Sequence, residues 1–195
     1  MTAYVAKTLV TAVLLACSTK YSGATCTTIA IEQNDNADPA IGAKKADYAM
    51  AVISDAGYLA RDKECVRSAM MYLGSAHVEK AIPRLIALLG YHQEPRPGHM
   101  PRADDEYPSI AALFRMGKPA VPALIEVIAA KDNDTIEGKN ALYALMSVYR
   151  EDPSEGIRAL KKATQRHADS LSVSRLRQAI QDARSLWCRS SPCSE

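Results

Sequence analysis

Apolar residues along most of this chain recur with the period of a helix rather than that of a strand. After residue 38, the apolar positions of the first segment recur at spacings of seven, four and seven: Ile41, Tyr48, Val52 and Leu59. Asp38 and Pro39 supply a start signal, an N-cap acid followed by a proline in the first turn. No segment alternates with period two beside a hairpin turn signal. The pattern predicts an all-α fold.

A short phrase of sequence occurs three times in the helical part. It reads Ala81-Ile82-Pro83-Arg84-Leu85-Ile86, then Ala120-Val121-Pro122-Ala123-Leu124-Ile125, and in degenerate form Gly156-Ile157-Arg158-Ala159-Leu160. Each copy follows an apolar helical segment and a break. Because proline fits the first turn of a helix, Pro83 and Pro122 mark the start of a second helix. Gly74 and Gly117 are expected to end the first helices in a left-handed conformation.

The helices that begin at these prolines are apolar over a wide face, so each needs both a partner helix and the next pair to cover it. Repeated helix pairs of this kind stack side by side. The sequence therefore predicts a short α-solenoid of about three helix–turn–helix pairs over residues 39–187, with an N-terminal helix and a C-terminal capping helix.

The segments Cys65-Val66-Arg67-Ser68-Ala69, Leu73-Gly74 and Ala81-Ile82-Pro83-Arg84-Leu85, with the second copy Met116-Gly117-Lys118-Pro119-Ala120-Val121-Pro122-Ala123-Leu124, resemble HEAT repeats of the short bacterial type. The resemblance covers about residues 62–165, and the third unit departs from it, since Arg158 stands where proline is usual. It implies a curved scaffold that binds a protein or peptide and names no reaction. We expect no catalytic residue, no cofactor and no metal; the alternative is a HEAT-repeat enzyme or enzyme subunit, lyase-like or glycosylase-like.

The first 24 residues have the pattern of an export signal. Lys7 precedes a short apolar run over residues 9–16, which is too short for a membrane span. Two processing routes remain open: cleavage after Ala24 at a small-x-small site, or lipidation of Cys17, which ends a stretch resembling a bacterial lipobox. Either route predicts an exported protein, located in the periplasm, in the cell envelope as a lipoprotein, or outside the cell. A flexible linker is expected over residues 25–38.

Composition narrows the function classes. Hydrophobic residues make up 48% and charged residues 24% of the 195, which is typical of a globular protein, and a single Trp and a single Phe predict an aliphatic core. The formal net charge is +2, and removal of residues 1–24 takes away two lysines and no acid. A near-neutral chain lacks the overall basic charge typical of nucleic-acid binding or of a polybasic membrane surface. We therefore expect no nucleic-acid partner, and contact with a membrane only through a possible lipid anchor at Cys17.

Four cysteines remain after either processing route, an even number that predicts disulfides in an exported chain. Stacked helices about 10 Å apart place the two ends of a solenoid beyond the roughly 7 Å between Cα atoms that a disulfide spans. We therefore expect Cys188 to pair with Cys193, pinning the tail over residues 188–195, and Cys26 to pair with Cys65. In the alternative, Cys65 is a buried free thiol.

The segment from Tyr91 to Pro108 interrupts the repeat with four prolines and a glycine, so no helix is expected there. It carries His92, His99 and Tyr107 beside a cluster of acids, and the spacing of the two histidines matches no local metal motif. Long loops on rigid scaffolds often bind partners. The HEAT resemblance implies a concave face lined by the second helices, whose exposed positions are predicted from periodicity. The predicted partner-binding residues are Arg84, Glu126, Lys161, His92, His99 and Tyr107.

The export interpretation makes the first testable prediction. Intact-mass analysis of the native protein is expected to give a chain that lacks at least residues 1–16 and begins either at lipidated Cys17 or at Thr25. The physical reason is the apolar run followed by small residues that signal peptidases accept. A native protein with the unmodified mass of the whole chain would refute it.

Overall fold

The computed structural model describes residues 39–94 and 102–187, and all regular structure in these two ranges is helical. Two 3₁₀ turns, Glu79–Ala81 and Lys118–Ala120, lead into two of the helices. The α-helices are α1 (Pro39–Ser54), α2 (Ala56–Arg61), α3 (Lys63–Ser75), α4 (Ile82–Ala87), α5 (Ala103–Glu106), α6 (Pro108–Met116), α7 (Val121–Ala130), α8 (Ile136–Val148), α9 (Pro153–Arg166) and α10 (Ser170–Trp187). The prediction of an all-α fold is confirmed for the described residues. The predicted leader, linker and tail lie outside them.

The first predicted helix is divided by Asp55. Its backbone is extended, and its carboxylate accepts hydrogen bonds from the backbone N–H groups of Gly57 at 2.6 Å and Tyr58 at 3.0 Å. An aspartate in this position caps the start of α2 and separates it from α1. Val52 is fully buried as predicted, but Ile41 is 41% exposed, so the predicted apolar stripe is wrong at its first position.

The prolines of the repeated phrase stand where the sequence predicts. Pro83 lies in the first turn of α4 and Pro122 in the first turn of α7, each directly after a 3₁₀ turn. The third unit starts differently, because the Asp152 carboxylate caps α9 by accepting a hydrogen bond from the Glu155 N–H at 3.3 Å. A hydrogen bond from the Ser154 hydroxyl holds the pKa of Asp152 below its ordinary value, which favours the charged form that caps best.

The two glycines predicted to end first helices have different roles. Gly117 ends α6 with a φ of 73°, as predicted. The prediction is wrong for Gly74, because α3 continues to Ser75 and the positive φ, 50°, belongs to the exposed turn residue His77. A Cβ at Gly74 would lie 2.5 Å from the carbonyl oxygen of Ala112, so this glycine allows close approach of the α3 and α6 backbones.

The helices pack in two connected rows around one core. In the first row, α1 packs on α3, α3 on α6 and α6 on α8; in the second, α4 packs on α7, and α7 also contacts α8. The largest fully buried side chains are isoleucine, leucine and methionine, so the prediction of an aliphatic core is confirmed for the described residues. Partly buried tyrosines and Trp187 pack around this core.

The last helix turns back against the second row. α10 packs on both α7 and α9. Its Arg175 donates a hydrogen bond of 2.8 Å to the carbonyl of Ala130, one of the carbonyls at the end of α7 that have no partner within the helix. At its other end, Trp187 packs edge-on against Tyr143 of α8, with 5.8 Å between ring centroids. Among the described helices, α10 included, none has both the length and the apolar character of a membrane span.

The contact at Gly74 makes a prediction about stability. Replacing Gly74 with alanine should lower the free energy of unfolding by about 2 kcal/mol, because the added Cβ must push the α3 and α6 backbones apart. Gly42→Ala is the matched control: Gly42 lies inside α1 and has open space around it. The control should gain about 0.5–1 kcal/mol from helix propensity. Chemical denaturation measures both, and equal effects at the two positions would contradict the packing role of Gly74.

Candidate functional site

The chain that leaves α4 toward the loop is held by three buried polar side chains, Gln93, Ser109 and Asn140, which we call the polar trio. The Ser109 hydroxyl donates to the carbonyl of Leu88 at 3.0 Å, and the Asn140 amide donates to the carbonyl of Leu89 at 2.7 Å. A helix leaves its last carbonyls without partners, and here side chains from α6 and α8 supply them. The end of α4 is therefore fixed by two later helices.

Gln93 fixes the start of the loop through both its backbone and its side chain. Its backbone N–H donates to the carbonyl of Glu106 at 2.8 Å, which joins the two ends of the loop. Its side-chain amide donates to the carbonyl of Lys63 at 2.8 Å and accepts from Arg67 Nε at 2.9 Å. With 2% of its surface exposed, Gln93 attaches the loop to the first turns of α3.

Tyr91 adds a further attachment at the same end of the loop. Its hydroxyl donates to the carbonyl of Leu59 at 3.0 Å, on the short helix α2. Burial raises the pKa of Tyr91 above its ordinary value, and the nearby negative charge of Asp62 raises it further. The phenol therefore stays protonated at neutral pH and keeps donating this hydrogen bond.

The outward side of the loop carries the predicted aromatic and acidic residues. His92 is exposed and packs edge-on against half-buried Tyr107, with 5.3 Å between ring centroids. The acids Asp104 and Glu106 lie in α5, so the prediction that the segment contains no helix is wrong. Four residues are enough for one turn, which the prolines on either side do not interrupt. His99 lies outside the described residues.

These side chains do not form a metal centre within the part of the chain that the structure describes. There, no three residues among His, Cys, Asp and Glu are grouped closely enough to hold an ion. The nearest ionic contact within the loop is between Arg102 Nε and an Asp104 oxygen, at 3.3 Å. The described part of this surface presents the aromatic rings of His92 and Tyr107, which can contact a partner through their rings and through hydrogen bonds.

The predicted residues on the second helices differ in how exposed their side chains are. Glu126 and Lys161 are exposed, as periodicity predicts. Arg84 is not: it is half-buried, and its Nε donates a hydrogen bond of 2.9 Å to the carbonyl of Ile53 at the end of α1. The predicted exposure of Arg84 is therefore wrong, because its guanidinium satisfies a helix-end carbonyl.

The packing of α10 also changes which parts of α7 and α9 are exposed to solvent. Because α10 lies against both α7 and α9, it covers part of each of these helices. Glu126 remains exposed and lies 3.7 Å from Nε2 of His167, the residue that ends α9. Among the predicted residues that the structure describes, His92, Glu126 and Lys161 are exposed, whereas Tyr107 and Arg84 are half-buried.

Of the five cysteines, Cys65 is the one within the described residues. It is fully buried at the start of α3 and is disulfide-bonded. Cys17, Cys26, Cys188 and Cys193 lie outside the described residues. The alternative in which Cys65 is a free buried thiol is therefore wrong, and its pairing with Cys26 stays a prediction.

Comparison with models of known protein families, with curated proteins and with solved structures gave no match to this chain. The resemblance to HEAT repeats accordingly rests on the residues quoted above and stays a prediction.

Sequence reasoning did not identify the polar trio, and its hydrogen bonds lead to a testable prediction about stability. Gln93→Ala should lower the free energy of unfolding by about 2 kcal/mol, because it removes the buried hydrogen bonds of the Gln93 side chain to the Lys63 carbonyl and to Arg67 Nε. Gln165→Ala, at an exposed position of α9, is the matched control and should change stability by less than about 0.5 kcal/mol. Denaturant titration compares them, and a loss at Gln93 no larger than at Gln165 would show that the loop attachment is not structural.

Proposed function

We propose that this protein is an exported, non-enzymatic scaffold of HEAT-like helix pairs that binds a protein or peptide partner. The observation that supports this most is the fixed base of the 91–108 loop. Hydrogen bonds from Gln93 to α3 and to Glu106 hold the two ends of the loop together, so the residues between them are presented from a rigid support. Binding loops carried by a rigid scaffold lose less conformational entropy on association than free segments do.

The scaffold part of the proposal is supported by equivalent elements in successive units. In two units a 3₁₀ turn, a proline and an apolar helix follow one another, and the preceding helices α3, α6 and α8 pack in series. Packing between neighbouring units is what a stack of helix pairs requires. The third unit lacks the 3₁₀ turn and packs with α10, as a terminal unit that caps a stack would.

The proposed contact surface comprises the loop together with exposed positions of the second helices. His92 and Tyr107 form its described part in the loop, and His99 belongs to the same segment. Glu126 and Lys161 extend it on α7 and α9. Arg84 contributes to this surface through the placement of α4 on α1 rather than through a free guanidinium.

Export is supported by the disulfide at Cys65, because disulfides persist mainly in oxidising compartments outside the cytosol. The apolar run over residues 9–16 agrees with it. Anchoring through lipidated Cys17 and release after Ala24 are the two forms that the exported protein can take.

Site-specific photo-crosslinking tests the binding surface. A photo-reactive residue in place of His92, in full-length protein made by its own cells, should give a discrete crosslinked product with one other protein. The exposed residue Lys44 on α1 is the matched control and should give none. Both side chains are at the surface, so the comparison separates a binding site from general accessibility.

Two outcomes would overturn the proposal. One is the absence of a product at His92 under conditions where the variant is exported and folded. The other is the same set of products from both positions, which would mean that proteins collide with this surface without binding it.

A further inference from the structure

Beyond its first turn, the exposed face of α9 carries four basic residues and one neutral residue, Gln165. Leu160 and Ala163 point into the core, and the opposite face carries cations at spacings of three, one and four residues: Arg158, Lys161, Lys162 and Arg166. The acid in the first turn, Glu155, is engaged by Lys118, whose Nζ lies 3.0 Å from its carboxylate. The four cations span about 12 Å of helix at 1.5 Å per residue.

None of these four cations forms an ion pair with another residue that the structure describes. Some surface lysines elsewhere do have such partners: Lys80 lies 2.6 Å from Asp47, and Lys139 lies 3.8 Å from Asp134. Ordinary surfaces intersperse charges of both signs. Four cations on one helix face, none of them in an ion pair, are therefore a feature that packing does not explain.

The neighbouring helix strengthens the same charge. α10 packs on α9 and carries exposed Arg177 and Arg184, seven residues apart and so on one side of that helix. Residues 153–187 hold seven bases against three acids, whereas the other described residues hold thirteen bases against fifteen acids. Two of the three acids, Asp169 and Asp182, accept hydrogen bonds from neutral groups, the Ser172 N–H and the Gln178 amide, and keep their negative charge. The chain is nearly neutral as a whole, but among its described residues the excess positive charge lies in residues 153–187.

We propose that this basic face, Arg158, Lys161, Lys162 and Arg166, docks on an anionic phospholipid surface. The four cations form a ridge along the exposed side of a single helix. Such a ridge of cations matches a flat surface of phosphate groups, and each cation near it adds to the attraction. The face carries no exposed large apolar side chain, so the contact is electrostatic and sensitive to salt.

This function goes beyond the proposed protein binding, because it needs neither His92 nor the loop. Lys161 belongs to both surfaces, whereas Arg158, Lys162 and Arg166 belong to the basic face alone. Membrane docking would also give a physical role to the excess positive charge of residues 153–187. A molecule with excess positive charge at one end turns that end toward a negatively charged membrane.

Vesicle co-sedimentation of the full-length protein tests the proposal. The probes are vesicles of phosphatidylcholine alone and of phosphatidylcholine with about 30% phosphatidylglycerol, at about 0.1 M salt. Neutral vesicles record any binding through the N-terminal segment, so the readout is the ratio of partition onto anionic and neutral vesicles. The unaltered protein should favour anionic vesicles, and the preference should fall at about 0.5 M salt.

The charge-reversed variant Arg158→Glu/Lys162→Glu should lose at least about tenfold of this ratio. It leaves Lys161 in place and should melt within about 2 °C of the unaltered protein, because both side chains are exposed. The matched control Lys44→Glu/Lys63→Glu makes the same change in net charge on α1 and α3 and should keep the ratio.

Three results would overturn the proposal. The first is no preference of the unaltered protein for anionic vesicles, and the second is equal losses in the two double variants. The third is binding to soluble poly-glutamate without binding to the anionic vesicles, which would assign the face to an acidic protein instead.

Discussion

The backbone carbonyls at the end of α4 are the constraint on which the rest of the structure depends. This helix is only six residues long, and its last turn ends inside the molecule, where a carbonyl without a partner is costly. Ser109 and Asn140 supply the partners from α6 and α8. The first helix pair is therefore completed by side chains of the next two. Helices coupled in this way are expected to unfold together rather than pair by pair, in contrast to repeat arrays that interact only with nearest neighbours.

Sequence rules predicted correctly those features that depend only on neighbouring residues, such as the starts of helices. Pro83 and Pro122 mark helix starts because the constraint on φ acts within one turn. Gly74 and Gly117 have equivalent positions in the repeat, yet one serves a tight helix contact and the other a turn. Their difference depends on Ala112, which packing brings to Gly74 from 38 residues away. No rule that examines neighbours along the chain contains that information.

The sequence predicted which segment forms the candidate site. It did not predict which side chains attach that segment to the helices. Its departure from the repeat indicated residues 91–108, whereas the side-chain partners of Gln93, Ser109 and Asn140 lie 30, 21 and 51 residues away. Asn140 follows charged Lys139 and precedes the apolar run that begins at Ala141, so the local sequence does not mark its side chain as buried. The basic residues of α9 are visible in the sequence, but the net charge does not reveal them, because it sums all charges and discards where each one lies.

The disulfide at Cys65 has a consequence for how the chain matures. Its side chain has no exposed surface, so soluble oxidants have poor access to it in the finished fold. The bond is therefore expected to form while this part of the chain is still open, and the finished fold shields it from reductants. Oxidation and packing at this position are ordered in time, and a chain that packs first is left with a thiol sealed inside its core.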